Sequence, residues 1–126
     1  MVSVTIGLGS NCGDRKALIS EAISWLRKIL SQTSASEIYE TPCALKEGRP
    51  YMNAVVEGFY QGTGIELNEL LKEKEHEMGR DKKCREQGLV PIDIDLVICN
   101  GEILKPWDFN QKFFKIGYSE IKAHQK

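Results

Sequence analysis

No stretch of the 126 residues approaches the roughly 20 apolar positions that a membrane-spanning helix needs. The opening residues, Met-Val-Ser-Val-Thr-Ile, lack a basic segment followed by a signal-like apolar run, so a cytoplasmic location is expected rather than secretion. Basic residues are not in excess: 17 Lys and Arg against 18 Asp and Glu give a formal net charge of −1. That balance argues against duplex nucleic acid or anionic membrane as the main partner, because both reward a basic surplus. A small basic pocket for one anionic ligand is still compatible with that sum. Cys12, Cys43, Cys84 and Cys99 form no Cys-x-x-Cys pair, so neither a zinc site nor a disulfide scaffold is indicated. They are expected to be reduced, structural thiols. His76 and His124 have no partners that would support Ser/His/Asp catalysis. Gly7-Leu8-Gly9-Ser10-Asn11 is glycine-rich but fits neither the dinucleotide nor the P-loop pattern.

What is present is the composition of one globular domain over residues 1–126, with 41% hydrophobic and 28% charged residues. A monomer is favoured. Alternation predicts a first strand over Val2 to Leu8. Leu18, Ala22, Trp25 and Ile29, with Ile19, Ile23, Leu26 and Leu30, predict a broad-faced helix capped by Asn11 or Asp14 and closed by Gln32-Thr33-Ser34. A second strand is expected over Ser36 to Thr41, ended by Pro42. A loop runs from Cys43 to Pro50 through Lys46 and Glu47, and a third strand from Tyr51 to Tyr60. The capping box Thr63-Gly64-Ile65-Glu66 opens a helix that Gly79 closes. Asp81 to Val90 reads as an exposed mobile loop, and Ile92 to Ile98 as a fourth strand with an Asn100-Gly101 hairpin turn. The tail from Lys105 is first aromatic-rich, then polar. The order β-α-β-β-α-β predicts an α+β, ferredoxin-like fold: an antiparallel sheet with helices on one face and the other free for a ligand.

The most informative residues are in Ile92-Asp93-Ile94-Asp95-Leu96. Strand alternation puts the isoleucines in the core and both carboxylates together on the opposite face. Two like charges side by side repel, and an oxygen-only donor pair suits Mg²⁺. The alternative is that both simply face water. Glu75 falls on the apolar stripe of the second helix, either reaching solvent at its edge or turning toward a ligand or a basic group. Arg80 is its natural partner, or a phosphate ligand. Lys82, Lys83 and Arg85 could close on phosphates or be a solvated charge run.

Taken in order, five motifs resemble the 6-hydroxymethyl-7,8-dihydropterin pyrophosphokinase family. They are Gly7-Leu8-Gly9-Ser10-Asn11 with Gly13-Asp14, Tyr39-Glu40-Thr41-Pro42, Tyr51-Met52-Asn53-Ala54-Val55-Val56, Glu75-His76-Glu77-Met78-Gly79-Arg80 and Asp93-Ile94-Asp95-Leu96. The resemblance implies a cytoplasmic enzyme of folate synthesis with two substrates, ATP and a pterin alcohol. It would transfer diphosphate from ATP to the pterin hydroxymethyl group and release AMP. Asp93 and Asp95 would hold two Mg²⁺ ions. Thr41, Pro42, Tyr51 and Asn53 would form the pterin pocket, with Phe113 or Phe114 stacking on the ring. Glu75, Arg80, Lys83 and Arg85 would contact nucleotide, and Arg80 and Lys82 the transferring phosphates. The loop from Asp81 to Val90 would close over ATP. Three departures stand out: Val90 where the family has arginine, Gln87 near the place of the family's aromatic, and a tail with Lys105, Gln111 and Lys112 where other signatures belong. They leave a second expectation open, a non-catalytic pterin- or nucleotide-binding module of the same fold.

Overall fold

Alternating branched residues in the first ten positions produce β1 (Val2–Ser10), the centre of an antiparallel sheet in the computed structural model, which describes residues 1–43 and 48–125. Lys46 and Glu47 of the expected loop lie outside the described residues. The chain continues through α1 (Arg15–Ile29), β2 (Leu30–Ala35), β3 (Tyr39–Thr41), β4 (Tyr51–Tyr60), α2 (Gly64–Glu77) and α3 (Lys82–Glu86). It ends with β5 (Asp93–Cys99), β6 (Glu102–Ile103), α4 (Pro106–Phe109) and α5 (Lys112–His124). Strand order is β2-β4-β1-β5-β6, with β3 also pairing β4. The α+β class and the antiparallel sheet are as expected. No described helix is long and apolar enough to cross a membrane, and all four cysteines are free.

The main core lies between the sheet and the first two helices. Ile19, Ala22 and Leu26 of α1 and Leu67 and Leu71 of α2 pack on Ile6, Leu8, Ala54, Val56, Ile92 and Ile94. Asp14, rather than Asn11, caps α1 by accepting from the Ala17 N–H at 3.2 Å. Thr63 caps α2 as the capping box predicts, accepting from the Glu66 N–H at 3.1 Å.

Three stretches depart from expectation. Leu30 leaves α1 directly into β2, so the polar run Gln32-Thr33-Ser34 does not close the helix but lies in an edge strand with its polar side chains facing out. Gln32, at φ 51°, makes the irregularity that lets this strand pair with β4. Ser36 ends that pairing by accepting from the Val55 N–H at 2.9 Å, and β3 then takes over the remaining length of β4. The segment 81–90 is not loop throughout, because Asp81 caps the short α3 by accepting from the Cys84 N–H at 2.8 Å.

The third departure is the tail. Phe114 and Ile121 of α5 bury against Val55 and Val97 on the sheet face opposite α1 and α2, so helices occupy part of both faces. Gly117 permits this approach: a Cβ there would come within 2.7 Å of Val55 Cγ2 and 2.9 Å of Tyr39 Oη. The Tyr39 hydroxyl donates to the Phe113 carbonyl at 2.5 Å and accepts from the Gly117 N–H at 3.0 Å.

Burial pushes the Tyr39 phenol up to about 12. The folded protein thus holds this proton more tightly than the unfolded chain. The corresponding stability is present below pH 10 and lost as pH rises toward 12. Tyr39→Phe is expected to lower stability by about 1–2 kcal/mol at pH 8. Denaturant melts of both proteins should show the difference narrowing above pH 10.

Candidate active site

The register of three strands builds the floor of the site. Gly9 of β1 lies between Asn53 of β4 and Asp93 of β5, and Tyr39 of β3 extends the same row. Strands are about 4.8 Å apart, so Asn53 and Asp93 face each other across roughly 10 Å. Gly9, lacking a side chain, leaves the intervening space clear: a Cβ there would meet Tyr51 Cδ2 at 3.3 Å and Asn53 Oδ1 at 3.7 Å. The uncovered end of the sheet becomes a pocket of about 560 Å³.

One side of this pocket is uncharged. Thr41, Pro42, Tyr51, Asn53, Phe113 and Phe114 all line it. Asn53 is buried, and its amide nitrogen donates to Thr41 Oγ1 at 2.7 Å and to the carbonyls of Tyr39 and Tyr51 at 3.3 Å. The amide orientation is thereby set by β3, with Oδ1 toward the cavity. Of the two phenylalanines, Phe114 is sealed in the second core and stacks on Tyr118, with ring centroids 5.4 Å apart. Phe113 is half-buried beside Trp107, their centroids 6.0 Å apart, and keeps ring surface available to the pocket.

The other side is ionic. Asp93 and Asp95 point away from the main core, as alternation predicts, while Ile92 and Ile94 are fully buried in it. Neither carboxylate faces water alone. Arg80 Nη1 lies 2.8 Å from Asp93 Oδ1, while Lys72 and Lys105 approach Asp95 Oδ1 at 3.0 and 2.7 Å. Burial and the adjacent Asp95 push the Asp93 carboxyl well above the usual range. Burial alone would also raise Asp95. A hydrogen bond from Asp93, with the charges of Lys72 and Lys105, outweighs that and holds it below. The two neighbouring carboxyls are thus pushed in opposite directions, Asp93 up and Asp95 down.

Glu75 is buried rather than at a solvent edge. On its outer side β5 pairs β6 only at Ile98 and Cys99, so its Asp93–Asp95 end has no strand partner there among the described residues. Glu75 Oε2 accepts the Ile94 N–H at 2.6 Å, and Lys72 Nζ donates to the Ile94 carbonyl at 3.1 Å. One turn of α2 therefore pairs both backbone groups of Ile94, much as another strand would. Arg80 Nη1 adds an ion pair to Glu75 at 3.4 Å. Carboxylate oxygens of Glu75, Asp93 and Asp95 all lie within 4.8 Å of one another. This all-oxygen donor set fits a hard divalent cation such as Mg²⁺.

Arg85 reaches the pocket wall from α3, whereas Lys82 and Lys83 are exposed on α3 and do not line it. Val90 contributes backbone contacts: its N–H donates to Asn11 Oδ1 at 2.6 Å and its carbonyl accepts from the Asn11 N–H at 2.9 Å. Asn11 Nδ2 also donates to the Gly88 carbonyl at 3.0 Å, so this side chain fastens the end of segment 81–90 to β1. Asn11→Ala is expected to cost about 1–2 kcal/mol of stability. Faster amide exchange at Val90, with little change elsewhere in the sheet, is the measurement that checks it. Sequence reasoning passed over Lys72, Trp107 and Asp108, which also line the pocket. The signal for Lys72 was its position three residues before Glu75, one turn away on the same helix face.

A family model described as 7,8-dihydro-6-hydroxymethylpterin-pyrophosphokinase matches residues 5–123. The chain is 34% identical over 100 residues to a Bacillus subtilis 2-amino-4-hydroxy-6-hydroxymethyldihydropteridine pyrophosphokinase, covering 77% of this chain and 59% of that protein. It is 31% identical over 106 residues to the Aquifex aeolicus protein of the same name, covering 83% and 66%. It is also 34% identical over 96 residues to an Arabidopsis thaliana folate synthesis bifunctional protein, covering 75% of this chain and 20% of the larger one. The chain thus spans between a fifth and two thirds of the length of these relatives. With the family model matching nearly end to end, the chain belongs to the 7,8-dihydro-6-hydroxymethylpterin-pyrophosphokinase family.

Proposed function

We propose that this chain transfers the β,γ-diphosphate of ATP to the hydroxymethyl oxygen of 6-hydroxymethyl-7,8-dihydropterin, releasing AMP, as a cytoplasmic step of folate synthesis. The observation that carries the reading is the Asn53–Gly9–Asp93 row, which sets a neutral aromatic seat roughly one ligand's width from a carboxylate and cation cluster. A flat heterocycle fits the first part and a polyphosphate the second. Asn53 Oδ1 would accept from the pterin's amide edge, with Thr41 holding the Asn53 amide in place and Tyr51 and Phe113 enclosing the ring. Asp93 and Asp95 would hold two Mg²⁺ ions, with Glu75 bracing their strand. When bound, Mg²⁺ supplies charge neutralisation for the transferring diphosphate.

In the reaction, the pterin oxygen forms a bond to the β-phosphorus as the bond from that phosphorus to the α,β-bridging oxygen breaks. The hydroxyl proton departs to solvent and AMP carries away the bridging oxygen. Positioning and charge do most of the work in such a transfer, and no dedicated protein base is needed. Arg80, Arg85, Lys72 and Lys105 line the same wall and would meet developing phosphate charge. They supply cations that Val90 does not. Lys82 and Lys83 would join only if segment 81–90 closes further. Chromatography of nucleotides after incubation with ATP, Mg²⁺ and the pterin alcohol should show AMP accumulating in step with pterin consumed. Accumulation of ADP, or no pterin-dependent change, would overturn the assignment.

A further inference from the structure

Lys72 is held as a metal ion would be. Its ammonium lies 3.0 Å from Asp95 Oδ1, 3.0 Å from Glu75 Oε2 and 3.1 Å from the Ile94 carbonyl. An ammonium has three N–H donors, so these three oxygens saturate it. Two of the three belong to the carboxylate cluster that fits a divalent cation. Lys105 adds a second ammonium on the same Asp95 oxygen. Acidic and basic residues are equal in number on the pocket wall: Glu75, Asp93, Asp95 and Asp108 against Lys72, Arg80, Arg85 and Lys105.

A divalent ion entering alone meets two ammonium groups already on Asp95 Oδ1, and displacing one leaves it unpaired beside a new positive charge. A divalent ion entering with a polyphosphate brings acceptors for the displaced ammonium. Lysine suits such a change of partner, being a compact charge on a flexible stem, and the Lys72 side chain is 40% exposed, with room to swing. Given the diphosphokinase reading, on which this rests, we infer that Lys72 is an exchangeable resident cation of the Asp95–Glu75 site. It gives up Asp95 to a divalent ion when nucleotide phosphate takes the lysine. Metal and nucleotide therefore enter this site as a coupled pair, and metal alone binds poorly.

Calorimetric titration with Mn²⁺, with and without a methylene-bridged ATP analogue, tests this on the native protein, Lys72→Met and Lys72→Arg. Lys72→Met keeps an aliphatic stem without the charge, and Lys72→Arg keeps the charge. Thermal melts establish that each variant is folded. The native protein should bind Mn²⁺ weakly alone and at least about 10-fold more tightly with the analogue. Lys72→Met should bind Mn²⁺ alone roughly 10-fold more tightly than the native protein and show reduced coupling, while Lys72→Arg stays native-like. Unchanged or weaker binding of Mn²⁺ alone to folded Lys72→Met overturns the exchange, even where the analogue binds and the functional reading stands. Failure of the analogue to bind any of the three with Mn²⁺ overturns both.

Discussion

Asp95→Asn is expected to lower diphosphate transfer by about 10³-fold or more while leaving the protein folded. The substitution preserves volume and one oxygen, so β5 keeps its packing, and Lys72 and Lys105, each with over a third of its side chain exposed, can turn to solvent. What disappears is the charge at the centre of the carboxylate cluster, together with the residue on which two of the four pocket cations converge. A 10³-fold loss corresponds to about 4 kcal/mol of barrier, within the several kcal/mol that metal-assisted charge stabilisation supplies. Initial rates at saturating ATP and pterin check it. Glu57→Gln is the matching control: Glu57 is also partly buried and ion-paired, to Lys122 at 2.9 Å, but it does not line the site. Its rate should be native.

Glu75→Leu should instead act on stability, by about 3 kcal/mol or more. Its side chain is 7% exposed and joins Ile94, Lys72 and Arg80 through one oxygen. Leucine fits the neighbouring apolar stripe of Leu67 and Leu71 but cannot accept the Ile94 N–H. Removing one member of a buried ionic group, with a backbone donor orphaned beside it, costs about 3–5 kcal/mol. For a chain of this size that is on the order of a 10 °C fall in Tm. Glu75→Gln retains an oxygen acceptor and should recover part of the loss. A Glu75→Leu melt within about 2 °C of native would show that α2 does not brace the β5 edge.

The parts legible in the sequence are those with a strong local signal. Alternation in Ile92–Leu96 placed both aspartates on the pocket side of the sheet, and the capping box located the start of α2. Glu75 stood out because a carboxylate on an apolar helix stripe needs a reason. What could not be read depends on long-range encounters. Lys72 looks like any other basic residue on a helix rich in Lys and Glu, and only the meeting of α2 with the free edge of β5 makes it part of the site. Leu30–Ala35 carries the polar composition of a helix stop, yet β4 is long enough to accept it as an edge partner. The α5 helix was hidden by Gly117, a poor helix former whose value is the close approach to Tyr39 and Val55.

The central claim is that two phosphoryl groups move together. ATP labelled at the β-phosphorus tests it in one reaction with Mg²⁺ and 6-hydroxymethyl-7,8-dihydropterin. The label is predicted to end on the pterin, leaving unlabelled AMP. Label that remains wholly with nucleotide, as ADP or as unreacted ATP, would contradict the account.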